Sequence, residues 1–310
     1  MAYNLHKAIY DASSGSEILL PDVVNVDNPS PIVIEKPLSI KGRGAGTVIN
    51  IMHLGDLFHI NSWEWLTHES TVNLDNFVIR RNCQIPYSTD PEAYPHAIKV
   101  LRTACCNIDR LWIGGDGIGV RFCSDAHNVN MNRCRLARNR IGIYNEKSGA
   151  ANVTDVWMSN NFIIGEFGSY ASLPNHGEPI SEDRRLYNYG YYQKADTVGD
   201  CYLDNNVFLR FNAGIYIERV KSSVPKYAFN YRLHGNVVDQ MIFNGLIVIG
   251  VENSIFTSNQ IMNGEAVKNA EFIRCNNNTV TGNQFRGKKP PMKFIDSKGN
   301  VFEGNFKQQR

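Results

Sequence analysis

The stretch NIDRLWIGGDGIGVRFCSDAHNVNMNRCRLARNRIGIYNEKSGAANV, residues 107–153, decides the fold because it contains two copies of one unit. In each copy an asparagine opens a short apolar run, and a second run follows a glycine. The glycine recurs after 25 residues, from Gly117 to Gly142, and after 26 more at Gly168. A period in the twenties indicates a solenoid. Further copies and shorter echoes are present at Asn161, Asn206, Asn236, Gly282–Phe285 and Gly299–Phe302.

Each copy has the composition of strands and turns rather than of a helix. Its apolar runs are short, alternating and rich in Val, Ile, Phe and Tyr, and Asn and Gly interrupt them. Asn and Gly tolerate the left-handed backbone of a sharp corner, and stacked corners let asparagine side chains form hydrogen-bonded ladders. One copy cannot bury its apolar face alone, so the copies must stack. A leucine-rich repeat would need a denser leucine consensus. We therefore predict an all-β, right-handed parallel β-helix.

Composition limits the classes of partner. The chain has 310 residues, of which 43% are hydrophobic and 20% charged, and its formal net charge of +2 argues against bulk nucleic-acid binding. The N-terminal residues lack the apolar run of a secretory signal, and no window approaches the roughly 18 apolar residues of a transmembrane helix. Seven cysteines lie scattered without CxxC spacing, as in a reducing compartment. We expect synthesis in a cytoplasm, no membrane partner, and neither a metal nor another cofactor.

Residues 1–310 are predicted to form a single β-helix domain. Asn4–Ala12 has the spacing of an amphipathic helix, so residues 1–16 would cap the open end of the solenoid. Coils then occupy residues 17–306. The run Gly42-x-Gly44-x-Gly46 is interpreted as a turn between coils, because a strand pattern at Thr47–Ile51 follows it where a dinucleotide-binding loop would need a helix.

The first coils resemble those of a known superfamily. ILLP at residues 18–21, PIVIEKPLSIKGRGAGTVI at residues 31–49 and GGDGIGV at residues 114–120 are similar to pectate-lyase-like β-helix proteins, especially bacteriophage tailspikes and virion depolymerases. The resemblance implies a virion protein, a homotrimer, and partners that include surface polysaccharide and other virion proteins. Many tailspikes also carry a particle-binding domain before the helix and a trimerising domain after it, whereas coils fill nearly all of this sequence.

Three segments interrupt the repeat and are candidates for functional loops. They are Trp63–His68, Cys83–His96 and Leu173–Thr197. The third is the largest, because Phe162 and Phe208 are 46 residues apart where other copies are 25 or 26 apart. One coil therefore carries roughly 20 additional residues, and long loops of this kind are commonly functional.

A candidate site follows from aligning the strands on Gly117, Gly142, Gly168, Gly214 and Gly245. Side chains alternate between the two faces of a strand, so this alignment predicts an exposed column containing Tyr144, Tyr170 and Tyr216. Two residues further along, Arg121, Glu146 and Glu218 would also face outward. Coils are about 4.8 Å apart, so Glu146 and Glu218, two coils apart, would be separated by roughly 9–10 Å. Inverting glycosidases separate their acid and base by about 6.5–9.5 Å.

These side chains favour a carbohydrate groove. Aromatic rings pack on the apolar faces of sugars, hydroxyls and guanidinium groups bind sugar hydroxyls, and paired carboxylates supply an acid and a base. Glu146 and Glu218 are the predicted catalytic pair. The alternative is that stacked aromatic and charged residues only pack against their neighbours on an exposed sheet. The predicted carbohydrate-binding residues are Tyr144, Tyr170, Tyr216, Arg121 and, in the large loop, Tyr187, Tyr189 and Tyr191.

Other charged residues have simpler interpretations. Asp116 is expected to be a corner residue. Arg133, Arg135, Arg138 and Arg140 form either a solvated face or a surface for an acidic sugar or a neighbouring subunit.

Three functional hypotheses remain open from the sequence. The first is a bacteriophage tailspike or decoration-type protein of the virion that binds host surface polysaccharide, with depolymerisation by hydrolysis or elimination as an open question. The second is a structural or adhesive virion protein without enzymatic activity. The third is a bacterial polysaccharide lyase or epimerase, against which the lack of a secretion signal argues.

Overall fold

The computed structural model describes residues 3–62, 71–83, 85–86, 88–146, 154–165, 188–195, 200–219, 230–241, 243–262, 268–286 and 292–308. These residues form a short helix followed by a stack of short parallel strands around a common core. Within these ranges no helix is both long enough and apolar enough to cross a membrane.

Helix α1 (Leu5–Asp11) begins after Asn4, whose side-chain oxygen accepts a hydrogen bond of 2.9 Å from the backbone N–H of Lys7. This bond satisfies one of the donors that a helix start leaves open. Leu5 and Ile9 lie one turn apart and are buried in the core. The helix predicted at Asn4–Ala12 is therefore present.

The strands are short, as the alternating apolar runs predict, except for one of 15 residues. The first half of the described chain contains β1 (Glu17–Leu19), β2 (Val23–Val26), β3 (Ile32–Ile34), β4 (Ser39–Lys41), β5 (Val48–Ile51), β6 (Phe58–Ser62), β7 (Val72–Asp75), β8 (Val78–Arg81), β9 (His96–Thr103), β10 (Cys106–Asp109), β11 (Trp112–Gly114), β12 (Ile118–Asn132), β13 (Arg135–Asn139), β14 (Ile141–Glu146), β15 (Thr154–Ser159) and β16 (Phe162–Gly165). The second half contains β17 (Tyr189–Ala195), β18 (Cys201–Asp204), β19 (Val207–Leu209), β20 (Ala213–Arg219), β21 (Tyr231–His234), β22 (Val237–Asp239), β23 (Asn244–Ile249), β24 (Ile255–Thr257), β25 (Gln260–Met262), β26 (Lys268–Ile273), β27 (Thr279–Thr281), β28 (Gln284–Arg286), β29 (Met292–Ile295), β30 (Val301–Glu303) and β31 (Phe306–Gln308).

The described strands form three parallel sheets, which we name A, B and C, and the chain visits them in that order on successive coils. Sheet A begins with β1, β4 and β7, sheet B with β2, β5 and β8, and sheet C with β3, β6 and β9. The long strand β12 starts in sheet C and continues into sheet A, with a register shift between Phe122 and Asp125. The parallel register and the recurring order of sheets confirm the predicted parallel β-helix.

The core is a set of columns in which inward-facing apolar residues of each sheet stack from coil to coil. In sheet A, one such column contains Leu74, Ile108, Met131 and Met158, which are aligned and buried. Apolar burial is worth about 25 cal/mol per Å², and stacking of the coils achieves it. The inward columns of the three sheets form one continuous hydrophobic cluster.

Left-handed corners separate sheet A from sheet B, as the Asn and Gly pattern predicts. Asn76, Asn160, Asn205 and Gly235 have φ between 55° and 65° at this corner. Arg110 and Arg133 occupy the same left-handed corner position on two other coils.

Each corner arginine is paired with an aspartate of the preceding coil. Arg110 Nε donates to Asp75 at 2.9 Å, and Arg133 Nη2 donates to Asp109 at 2.6 Å. A charged residue in the left-handed region costs about 1–2 kcal/mol relative to the right-handed one. These two surface ion pairs offset part of that cost.

A ladder of buried asparagines follows this corner, as predicted. Asn206 illustrates it: its Nδ2 donates to Met158 O and to Asn236 Oδ1, while its own Oδ1 accepts from the N–H and Nδ2 of Asn161. Both ends of each amide are therefore satisfied inside the protein. The ladder continues through Asn236, Asn259, Asn283 and Asn305.

Candidate functional site

A column of tyrosines crosses the outer face of sheet C. The strand register aligns Arg121, Tyr144, Tyr192, Tyr216 and Ile247 on successive coils. Ring centroids are 5.3 Å apart both between Tyr144 and Tyr192 and between Tyr192 and Tyr216. Tyr189 packs beside them, 4.9 Å from Tyr192 and 5.5 Å from Tyr216. The spacing of strands in the sheet, about 4.8 Å, sets these contacts.

The middle member of the column differs from the prediction. The sequence alignment placed Tyr170 between Tyr144 and Tyr216, but the register places Tyr192 there. The sheet-C strand of this coil is β17, which falls inside the segment predicted as a loop at residues 173–197. Tyr170 and Tyr187 lie outside the described residues, as does the segment Trp63–His68.

The glycine alignment is corrected in two of its five positions. The aligned residues are Gly119, Gly142, Gly190, Gly214 and Gly245. A Cβ atom added to any of the first four would lie 2.6 or 2.7 Å from the carbonyl oxygen of the next glycine, so only glycine fits at these four positions. Gly119 takes the place predicted for Gly117, Gly190 takes the place predicted for Gly168, and Gly168 itself lies outside the described residues.

Most of the tyrosine column is buried under a covering segment. Tyr144 and Tyr192 pack with Ile85 and Tyr94 in an apolar cluster outside the main core. Ile85 and Tyr94 belong to the predicted break at Cys83–His96, which therefore covers sheet C. Arg140, which was expected on a solvated or binding face, is buried and donates from Nε to Ile85 O at 3.1 Å. The rings left half-buried are Tyr189 and Tyr216.

Tyr191 cannot bind a carbohydrate, so that prediction is wrong. Its side chain points into the core and is fully buried. Its hydroxyl donates to Gln193 at 2.7 Å and accepts from Asn145 at 3.0 Å. Burial raises the pKa of Tyr191 well above its usual value. The alternation of faces explains the error, because Tyr191 and Tyr192 are neighbours on one strand.

Arg121 was predicted to bind sugar hydroxyls, and this is also wrong because its guanidinium is fully engaged. The side chain is only 4% exposed. Its Nε donates to Glu146 at 2.8 Å, and its Nη2 donates to both oxygens of Glu92 at 2.7 Å. Burial is the largest influence and acts to lower the pKa of Arg121, but the Glu146 charge, the Cys123 thiol and the hydrogen bonds to Glu92 and Glu146 together outweigh it, so the pKa is raised. The arginine thus bridges the largely buried Glu146 and the half-exposed Glu92.

A relay of hydrogen bonds continues from Arg121 towards the first coils. Its Nη1 donates to Nε2 of His96 at 3.0 Å, and Nδ1 of His96 lies 2.8 Å from Asp56. Because arginine can only donate, His96 is neutral and carries its proton on Nδ1. Burial lowers the pKa of His96. Burial would raise the pKa of Asp56, but hydrogen bonds with His59 and His96 outweigh it and hold that pKa far below its usual range.

Glu146 and Glu218 lie in one column of sheet C with Lys194 on the coil between them, as the predicted spacing requires. Both carboxylates are engaged. Glu146 binds Arg121 and its side chain is 16% exposed. Glu218 accepts the phenolic hydrogen of Tyr216 at 2.7 Å and lies 3.6 Å from the Lys194 ammonium. Their assignment as acid and base stays a prediction.

Asp116 is more than a corner residue. Its carboxylate is fully buried, and Oδ1 lies 3.1 Å from Nε of the equally buried Arg81. The backbone N–H of Gly117 donates to the same oxygen at 2.9 Å. Burial raises the pKa of Asp116 to about 6, although the Arg81 charge opposes it.

Sequence reasoning missed Tyr192, Glu92, His96 and Asp56. Tyr192 was missed because the sequence Gly168-Ser-Tyr170 has the same glycine–tyrosine spacing as Gly190-Tyr-Tyr192. The others come from segments outside the repeat unit. A signal for Glu92 existed, since it lies in the break at Cys83–His96. The described residues contain no group of three or more His, Cys, Asp or Glu side chains placed to hold a metal ion.

Comparison with known proteins gives structural similarity only. The sequence matches no protein-family model and no curated protein. Among solved structures the chain is similar to the Dettilon tailspike protein, with 12% identity, a TM-score of 0.47, and coverage of 94% of this chain and 59% of that one. It is also similar to the Escherichia coli bacteriophage HK620 tailspike in complex with a hexasaccharide, with 10% identity, a TM-score of 0.49, and coverage of 94% and 58%.

A third similar structure is the A-module of the Azotobacter vinelandii mannuronan C-5 epimerase AlgE4, with 12% identity, a TM-score of 0.43, and coverage of 98% and 91%. The chain thus spans about three fifths of the length of the two tailspikes. The resemblance to tailspikes and polysaccharide-active β-helix proteins holds as a similarity of fold. Values this low assign no residue a role.

Proposed function

We propose that the protein binds a polysaccharide on the outer face of sheet C, at the half-buried rings of Tyr189 and Tyr216. The observation that carries this proposal is the arrangement of four side chains on two adjacent coils. The two rings are 5.5 Å apart, the Tyr216 hydroxyl is held by Glu218, and the Lys194 ammonium lies 3.6 Å from the same carboxylate.

This arrangement offers both kinds of contact that a sugar needs. Aromatic rings pack on the apolar face of a pyranose, and polar groups at the edge of the rings can bind its hydroxyls. Glu218 supplies an acceptor and Lys194 supplies donors on the neighbouring coil. A few fixed polar groups beside an apolar surface are typical of ligand sites in general.

Rigid support behind the rings favours binding. Tyr192 stacks on Tyr216 at 5.3 Å, and Tyr144 and Tyr94 bury its other side. Side chains that are already ordered lose less conformational entropy when a ligand binds. The buried part of the column therefore holds the partly exposed rings in one orientation.

Binding without cleavage is the form of the proposal that the hydrogen bonds favour. Hydrolysis needs one carboxyl group that donates a proton. Glu146 and Glu218 both act as acceptors here, from Arg121 and Tyr216 respectively. Cleavage is kept as a second candidate because the two carboxylates occupy one column, two coils or roughly 9–10 Å apart.

We further propose a bacteriophage virion as the setting and a homotrimer as the assembly, on the strength of the sequence resemblance. Light scattering on the purified protein tests the assembly: a mass of three chains supports it, and a monomer contradicts it. The competing assignment to a bacterial lyase or epimerase predicts chemical modification of the polysaccharide, which the cleavage assay below would detect for a lyase.

Binding is tested on an array of purified capsular and O-antigen polysaccharides. We expect at least one polysaccharide to be retained, and Tyr216→Ala to lower the affinity about tenfold or more. Tyr202→Ala is the matched control, because Tyr202 is a half-buried tyrosine stacked on Trp157 on sheet A. Equal losses in the two variants, or no retained polysaccharide, would contradict binding at sheet C.

Cleavage is tested on the retained polysaccharide by following reducing ends and absorbance at about 235 nm together, as elimination creates a conjugated double bond that absorbs in that region. No change in either signal supports a binding protein. New reducing ends without a rise in absorbance, lost in both Glu146→Gln and Glu218→Gln, would establish a hydrolase and overturn the non-enzymatic form. A rise in absorbance would indicate a lyase.

A further inference from the structure

A second concave surface lies on a different face of the molecule, over the outer side of sheet B. It is a cleft of about 720 Å³ whose floor is formed by β8, β11, β13 and β16. Small residues keep this floor low, since Gly114 is aligned with Ala137 on the next coil. We call it the arginine cleft. Its polar and aromatic lining is Arg80, Arg81, Asn82, Trp112, Arg135, Arg138 and Arg210, and the buried Arg81 is paired with Asp116 beneath the floor.

Trp112 and Arg135 form a preformed platform in the cleft. Trp112 is 43% exposed, which is unusual for the largest apolar side chain. The Arg135 guanidinium lies over its ring, 5.0 Å from the centroid, and 5.4 Å from the centroid of Phe162. Cation–π stacking of this kind fixes the plane of the guanidinium and leaves its N–H groups to other partners.

Three arginines of the cleft have no carboxylate partner within the part of the chain that the structure describes. The lining contains no Asp or Glu whatever among these residues. Arg80, Arg135 and Arg138 are exposed and make no ion pair there. At the other corner, by contrast, Arg110 and Arg133 are each paired with an aspartate. The chain thus pairs Arg110 and Arg133 with aspartates at one corner, whereas Arg80, Arg135 and Arg138 have no carboxylate partner in the described part of the cleft.

Arg138 occupies a backbone position that normally suits glycine. It is the extra residue of a β-bulge, because Ala137 is aligned with Ile164 and Asn139 with Gly165, which leaves nothing opposite Arg138. Its φ is 60°, and the preceding coil has Gly115 with φ 76° at the same corner. Bulges redirect side chains and cluster near functional sites. A strained position that no internal ion pair offsets points to a functional role for the side chain.

We propose that the arginine cleft binds a carboxylated oligosaccharide, a segment of an acidic polysaccharide rich in uronic acids. Arg80 and Arg138 are two coils apart, roughly 10 Å along the axis, with Trp112 on the coil between them. A guanidinium group binds a carboxylate through two parallel hydrogen bonds. One carboxylate therefore binds at each end of the cleft, and an intervening sugar ring packs on the exposed indole.

A saccharide fits the cleft better than a nucleic acid. Single-stranded nucleic acids are bound along continuous basic grooves with several stacking platforms. The cleft has one exposed indole, and sheet B continues beyond it with the apolar outward residues Val207 and Leu209 and then the acidic Asp239. The formal net charge of the chain is only +2. A short site with two anchoring points matches a few sugars rather than a tract of phosphates.

This inference concerns a different face from the tyrosine column and does not depend on the function proposed there. Titration calorimetry of the full chain at low salt tests it, with oligogalacturonate, oligomannuronate and oligoguluronate as carboxylated probes. Fully methyl-esterified oligogalacturonate is the neutral control, and single-stranded oligothymidylate is the nucleic-acid control. We expect at least one uronate to bind, its methyl ester to bind at least tenfold more weakly, and the affinity to fall as salt rises.

The variant Arg138→Gly separates ligand binding from folding. Glycine suits the left-handed backbone at this position, so the melting temperature should equal or exceed that of the wild type, while uronate affinity falls at least tenfold. Arg133→Gly is the matched control, because Arg133 has φ 53° but is paired with Asp109 at the other corner. It should leave uronate affinity unchanged. Trp112→Ala should lower the affinity as well.

Three results would overturn the proposal. They are a failure of all three uronates to bind, equal binding of the methyl ester, and equal losses in Arg138→Gly and Arg133→Gly. Tighter binding of oligothymidylate than of any uronate would replace the saccharide by a nucleic acid. Tyr216→Ala keeps the two sites distinguishable, because it should leave uronate binding unchanged even if polysaccharide binding at sheet C is lost or was never present.

Discussion

The outer faces of sheets B and C use arginine in opposite ways. On sheet C, Arg121 is buried and its charge is balanced by Glu92 and Glu146. On sheet B, Arg135 and Arg138 are exposed and face no carboxylate in the described lining of the cleft. The first arrangement is structural and the second is open to a ligand. Both faces carry arginines on neighbouring coils. They differ because Glu92 of the covering segment and Glu146 of sheet C pair with Arg121.

The largest expected effect is on the buried side of this comparison. Arg121→Met should lower the free energy of unfolding by about 3 kcal/mol, because it leaves the largely buried Glu146 without its cation, whereas Glu92 is 50% exposed and adds little. Chemical denaturation measures it. Arg133→Met, which breaks an exposed pair with Asp109, is the control and should cost at most about 1 kcal/mol. Similar losses in both variants would mean that burial does not distinguish the two kinds of arginine.

The buried pair of Asp116 and Arg81 should make the stability of the fold depend on pH. Asp116 has a pKa of about 6 in the folded protein, above the ordinary value of an unfolded aspartate. The folded state therefore holds more protons between about pH 4 and 6, and stability falls as pH rises through that range. Relative to Asp116→Asn, the wild type should lose on the order of 2–3 kcal/mol between pH 4 and 7. Parallel pH profiles for the two proteins would refute the shifted titration.

A smaller effect with the opposite sign is expected at the bulge. Arg138→Gly should raise the free energy of unfolding by about 1 kcal/mol, because glycine relieves the left-handed strain and no ion pair is lost. The same substitution at Arg133 should give almost no net change, since relief of strain there is offset by loss of the Asp109 contact. Thermal and chemical denaturation of both variants measure the difference. Destabilisation by Arg138→Gly would show that the arginine holds the bulge together.

The smallest effect is expected at the partly exposed end of the tyrosine column. Tyr216→Phe removes the hydroxyl that donates to Glu218 but keeps the stacked ring. The cost in stability should be about 0.5–1 kcal/mol, as for a single hydrogen bond that water can replace. A cost above about 2 kcal/mol would mean that this end of the column is as closed as the Arg121 end.

The fold could be predicted from the sequence because each coil repeats the same pattern of residues. Asn and Gly at the corners and alternating apolar runs between them determine the sheets, the left-handed corners and the amide ladder, all of which are present. The common column of Glu146 and Glu218 could also be predicted, because it depends on the repeat of the strands and not on atomic detail.

The site was predicted less well for two physical reasons. First, a glycine–tyrosine motif in the wrong place looks the same as the correct one, and only inter-strand hydrogen bonds distinguish Tyr170 from Tyr192. Tyr191 was assigned to a loop, whereas it lies on strand β17 with its side chain in the core, where neighbouring residues face opposite sides. Second, Glu92 and His96, which contact Arg121, come from a segment outside the repeat, and repeat periodicity carries no information about it.

The asparagine ladder has a consequence for the conditions under which the two faces can work. Its amides carry no ionisable group, so their hydrogen bonds do not depend on proton concentration and are not screened by salt as charges are. The attraction of arginines for an anionic ligand is screened. A rise in ionic strength would therefore release a ligand from the cleft without unfolding the coils, so that salt affects ligand binding but not the scaffold.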